Sequence, residues 1–153
     1  MNLSYVFTND VLWVALAAWA LAQILKAPIH YLRSRKWDWS LLLRAGGMPS
    51  SHSALVAAAA HGVGLFHGFD TPLFGVAVVL AVIVIYDATG VRRQAGKHAE
   101  RINAIIADLA SGKPHWQETQ EQLREVLGHT PMEAITGTVF GIVFAHLAWL
   151  FLS

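Results

Sequence analysis

The sequence predicts an all-α fold: four transmembrane helices with a cytoplasmic amphipathic helical hairpin between the third and the fourth. Three observations predict it. The 153 residues are 55% hydrophobic and only 14% charged, a balance that belongs to membrane proteins more than to soluble globules. Four apolar stretches, about 10–32, 53–69, 72–91 and 131–152, approach the roughly 20 helical residues that a hydrocarbon core about 30 Å thick requires. All 11 lysines and arginines fall on one side of that arrangement. The whole chain, 1–153, then forms a single integral membrane domain.

Taken in order, the N-terminal MNLSYVFTND carries no lysine or arginine, and no small-residue cleavage site follows the first apolar run. The first span is therefore expected to stay in place and not to be removed as a signal peptide. Lys26, Arg33, Arg35, Lys36 and Arg44 lie at its end or in the loop beyond, and the other six basic residues lie between spans three and four. Such segregation orients a membrane protein with its basic face in the cytoplasm. The expected location is the cell inner membrane, multi-pass, with both termini outside. Trp13, Trp37, Trp39 and Trp149 lie near the expected interfaces, as an aromatic belt requires.

The second span starts after Gly46-Gly47-Met48-Pro49-Ser50-Ser51-His52 and is the shortest, with His61 and His67 within it. Its small residues, Ala57 to Ala60 with Gly62 and Gly64, permit close helix contact, within one chain or in a homo-oligomer. Asp87 lies near the end of the third span, where an ionisable group is expensive and is paired or functional. Over about 94–128, apolar positions at helical spacing (Ala99, Ile102, Ile105, Ile106, Leu109) precede a Ser-Gly-Lys-Pro break and a second short apolar set, Leu123, Val126 and Leu127. This predicts the hairpin. Thr130, Pro131 and Glu133 read as N-cap, first helical residue and capping-box partner of the fourth span.

This topology gathers Lys26, Arg33, Ser50, Ser51, His52, Asp87, Arg92, Arg93, His129 and Glu133 at one membrane face. The set suits phosphate. A helix start offers N–H groups to an anion, arginine and lysine add positive charge, and paired histidines supply a nucleophile and a general acid. His98 could reach the same pocket from the hairpin. The same His52, His129, Glu133 and Asp87 would also make a zinc site, although no local His-x3-His pair supports one. With no cysteine, thiolate chemistry is excluded. The expected partners are a membrane lipid phosphate and the bilayer, with no nucleic acid.

Lys26-x6-Arg33, Pro49-Ser50-Ser51-His52 and His129-x3-Glu133 resemble, in order, the three signatures of the type 2 phosphatidic acid phosphatase superfamily, which also includes the vanadium-dependent haloperoxidases. GGMPSSHSA, YDATGVRR and LGHTPMEA are similar to its divergent branch of small membrane proteins, with the resemblance running from about 20 to 142. The resemblance implies a phosphohistidine mechanism without metal or other cofactor. His129 would attack phosphorus, Glu133 would orient its ring in place of the usual aspartate, and His52 would protonate the leaving alcohol. Lys26, Arg33 and a further arginine would hold the phosphoryl oxygens.

The sequence departs from the pattern in three places. Ser51 stands where glycine is usual, Ser34 follows Arg33 where proline is usual, and Arg124 lies one residue too close to His129, which favours Arg92 or Arg93 for the third signature. The function expected is a phosphatase acting on a lipid phosphomonoester at the inner leaflet. Phosphatidylglycerophosphate is favoured because it is made at that face, followed by phosphatidic acid and polyprenyl phosphate or diphosphate. The altered signatures also admit a non-catalytic membrane protein that binds phosphate or lipid.

Overall fold

Asn9 accepts a hydrogen bond from the N–H of Leu12 at 3.0 Å and starts α1, Asp10–Ser34. The helix ends where Arg35 takes a left-handed backbone conformation and donates its N–H to the Tyr31 carbonyl. Ser50 caps α2 (Ser51–His67), and Thr71 followed by Pro72 starts α3 (Pro72–Thr89). After a break at Gly90 comes α4 (Val91–Ala110), and α5 spans Pro131–Leu152. Thr130 and Glu133 close the expected capping box on α5. The computed structural model describes residues 3–43, 46–110 and 129–153, the side chains at 3, 92, 93, 104, 108 and 110 excepted.

Large and small residues are sorted opposite to the way a soluble protein sorts them. The buried positions are small: Ala18 and Ala22 on α1, Ala54, Ala57 and Ala58 on α2, Ala134, Gly137, Gly141 and Ala145 on α5. The large apolar side chains, among them Ile24, Leu80, Ile83, Val139 and Phe151, face outward. Where the surroundings are lipid, burying leucine gains little, and helices associate by close backbone approach and dispersion. An added Cβ on Gly137 would collide with the Ser50 carbonyl, and one on Gly141 with the Ala54 carbonyl. The two glycines, four residues apart, therefore let α5 lie directly against α2.

α2 is the centre of the bundle and packs on α1, α3 and α5. The small residues that the sequence leaves open to either intra-chain or inter-chain contact are thus used within the chain. α2 runs antiparallel to α1, with Ser51 beside Lys26 at one end and Gly62 beside Val11 at the other.

The expected number of spans needs correction. Three helices among the described residues, not four, are long and apolar enough to cross a membrane: α1, α3 with its run into α4, and α5. The predicted second span falls short because α2 has 17 residues, about 25 Å of helix. Its alanines and glycines suit a helix that meets protein on most sides. Of the expected hairpin, only the first arm falls on described residues. A single helix, α4, follows α3 almost without interruption, and the expected second arm, with Leu123, Arg124, Val126 and Leu127, lies outside the described residues.

Candidate functional site

Each element delivers its polar residues to the same end of the bundle through a specific bond. Gly46 and Gly47 both have positive φ, 93° and 82°, a conformation that glycine adopts without a Cβ penalty. This turn brings the chain back over α1, where the Cβ position of Gly47 lies 3.7 Å from Lys26 Cδ. Ser50 then ties the loop to α5, donating its N–H to the Glu133 carbonyl at 3.0 Å. Its hydroxyl oxygen accepts from the Ser53 N–H at 3.3 Å and from the Ser53 hydroxyl at 3.0 Å. On the other side, His129 donates its N–H to the Ala88 carbonyl at the end of α3, at 2.8 Å.

Lys26, His129, Ser50, Ser51 and Ser53 are the buried polar and charged residues of the described chain. Lys26 Nζ lies 3.5 Å from Ser51 Oγ, a long contact for a lysine that is 2% exposed. Glu133, half-buried, supplies the countercharge from α5 and places its Oε2 3.2 Å from His129 Nδ1. The same oxygen accepts the Thr130 N–H at 3.0 Å, so the cap and the histidine share one carboxylate. With Nδ1–H pointing at a carboxylate, His129 would turn its Nε2 lone pair outward. The His52 ring faces it with centroids 6.1 Å apart and planes inclined by 58°. His52 is exposed and His129 is 3% exposed, so one imidazole is open to the surroundings and the other is enclosed.

The remaining predicted site residues are placed less closely. Arg33 lies two turns beyond Lys26 on the same face of α1, about 10 Å along the axis, and is exposed. Asp87 is half-buried on α3, next to the residue that receives the His129 N–H. Arg92 and Arg93 open α4 just past Gly90, and their side chains are outside the described set, as is Arg124 altogether. His98 is not with the pocket residues: it is exposed and lines a groove with Tyr86, Gly90, Val91, Gln94 and Ala95, with Tyr86 about 200° around α3 from Ala88. Among the described residues no group of three or more His, Asp or Glu side chains is arranged to hold a metal ion.

Two contributors escape a motif-by-motif reading. Ser53 is buried against Ser50, and Gly137 with Gly141 sets the distance between α2 and α5. The glycine pair does carry a sequence signal, Gly137-x3-Gly141, the small-residue spacing of close-packed membrane helices. At the far end of the same interface His61 Nε2 and His146 Nδ1 lie 3.4 Å apart, each satisfying the other in an apolar setting.

Several helices long and apolar enough to cross a membrane, with large apolar side chains turned outward, define a class, the multi-pass membrane proteins. The chain belongs to the divergent PAP2 family, whose pattern it matches over residues 7–144. It is similar to the uncharacterized membrane protein YuiD of Bacillus subtilis (strain 168), with 46% identity over 154 residues that cover 95% of this chain and 98% of that protein. No solved structure matches the chain.

Proposed function

We propose that this protein is a lipid phosphate phosphatase that works through a phosphohistidine on His129, with its pocket at the cytoplasmic face of the inner membrane. The observation that carries the reading is the pair of imidazoles 6.1 Å apart, one backed by Glu133 and buried, the other exposed. Membership in a divergent PAP2 family agrees with it, and the basic residues clustered at the pocket end favour the cytoplasmic orientation. Phosphatidylglycerophosphate is the first substrate to test, then phosphatidic acid and polyprenyl phosphates.

In this mechanism the Nε2 lone pair of His129 forms a bond to phosphorus while the bond from phosphorus to the ester oxygen breaks. His52 gives its proton to the departing alkoxide. His52 then takes a proton from water as that water attacks phosphorus, and inorganic phosphate leaves with His129 restored. Lys26, the Ser51 hydroxyl and the first N–H groups of α2 neutralise the phosphoryl oxygens, with Arg33 and Arg92 or Arg93 as additional cations. Purified protein in detergent tests this directly. Phosphate release from a lipid phosphomonoester that persists with chelator, together with acid-labile, base-stable phosphate on the protein, is the expected result. Release abolished by chelator would instead point to a metal-dependent hydrolase.

Two substitutions separate chemistry from architecture. Glu133→Gln keeps a capping-box side chain but removes the charge behind His129. Turnover should fall by about 10- to 100-fold with the thermal midpoint nearly unchanged, as measured by phosphate release alongside a melting curve. Lys26→Met removes a buried charge whose hydrogen bond to Ser51 is long, at 3.5 Å, and leaves Glu133 its bonds to His129 and Thr130. Stability in detergent should hold or rise, whereas affinity for vanadate, a phosphate mimic, should drop by about tenfold or more. The second reading, a non-catalytic binder, draws on the Ser51 departure and predicts vanadate or lipid phosphate binding without release from any substrate.

A further inference from the structure

Three helices surround α2, and they do not close around it. α1 packs on α2 and α5, and α3 packs on α2 and α5, while α1 and α3 meet at most marginally among the described residues. The contacts around α2 locate the opening. α1 meets it at Ser51 and Gly62, and α5 meets it at Ser50, Ala54 and His61. Ser53, Ala57 and Ala60, on a third side, are buried. At about 100° per residue, the sector left over carries His52, Leu55, Ala59 and Phe66, and the buried Val63 marks its edge towards the third side. Burial agrees with this placement, with His52 exposed and Leu55, Ala59 and Phe66 half-buried.

We propose that this strip of α2, between α1 and α3, seats the acyl chain of the lipid phosphate whose head group enters the His52–His129 pocket. The inference rests on the lipid phosphate reading above. The strip begins at a pocket residue and is apolar from the next turn onward. It runs for about 21 Å from His52 to Phe66, against a leaflet's share of about 15 Å of hydrocarbon. Because it opens sideways, a lipid would reach the pocket without any methylene leaving the bilayer. It also explains the order of exposure in the pocket: the leaving oxygen, which carries the tail, faces the exposed His52, and the phosphoryl group faces the buried His129. Ala59, the smallest residue of the strip, is its low point.

Full-length protein in phosphatidylcholine vesicles, photolabelled with phosphatidic acid carrying a diazirine in its acyl chain, tests the proposal. Labels mapped by mass spectrometry should concentrate on 52–66, exceed those from a diacylglycerol probe of the same chain, and be displaced by excess unlabelled phosphatidic acid. Ala59→Trp should cut this labelling by about tenfold through steric conflict while vanadate binding in the pocket persists; Ala59→Leu serves if the tryptophan variant does not fold. Equal labelling by both probes, or labels on the outer faces of α3 and α5, would overturn it. Strip labelling without phosphate release keeps the groove and removes the phosphatase. Phosphate release with labels elsewhere does the reverse.

Discussion

His129→Ala should reduce phosphate release from lipid substrates by at least about 10³-fold, since loss of a covalent nucleophile leaves only binding and charge stabilisation. The histidine does more than one job: its N–H also holds the Ala88 carbonyl, but that bond belongs to the backbone and survives the substitution. The variant should therefore fold, keep its melting midpoint within a few degrees, and fail to retain phosphate after acid-free quenching. His52→Ala makes the complementary case. It should slow turnover on lipids with poor leaving groups far more than on an activated aryl phosphate, which needs little protonation of its leaving oxygen. Undiminished turnover in His129→Ala would remove the phosphohistidine mechanism.

Gly137→Leu is expected to have the largest structural effect of any single change. A Cβ at Gly137 has no room beside the Ser50 carbonyl, and the obstacle is backbone, which cannot rotate away as a side chain can. α2 and α5 would have to separate, at a cost of about 3 kcal/mol. Separation at this point also pulls the His52 helix from the His129 helix, so activity and stability should fall together, read by phosphate release and by a thermal melt in detergent. Gly75→Leu is the control: a Cβ there meets nothing within 4 Å, and both properties should be preserved.

Much of this was readable in the chain because helix starts have local chemistry. Ser50, Thr71 and Thr130 cap as their side chains dictate, and Pro72 and Pro131 occupy first helical positions. Once those starts are fixed, strict alternation of helix direction brings Lys26, Ser51, His52, His129 and Glu133 to one end without any knowledge of packing. What failed did so for a physical reason. Apolar length predicts crossing only for a helix that meets lipid, and α2 meets mostly its neighbours, so its alanines and glycines mislead a count of spans. Arg33 shares its face of α1 with Lys26 and lies exposed two turns farther along. The α2–α5 contact depends on two glycines whose partners are carbonyl groups 87 residues earlier, and no local pattern names such partners.

Ser50 caps α2 with its side chain and bonds α5 with its own amide. One residue thus rivets two helix beginnings together. Solvents or temperatures that loosen the outer, lipid-facing helices would spare the spacing of the imidazoles until that rivet shears, so loss of activity should coincide with the cooperative melt and not precede it.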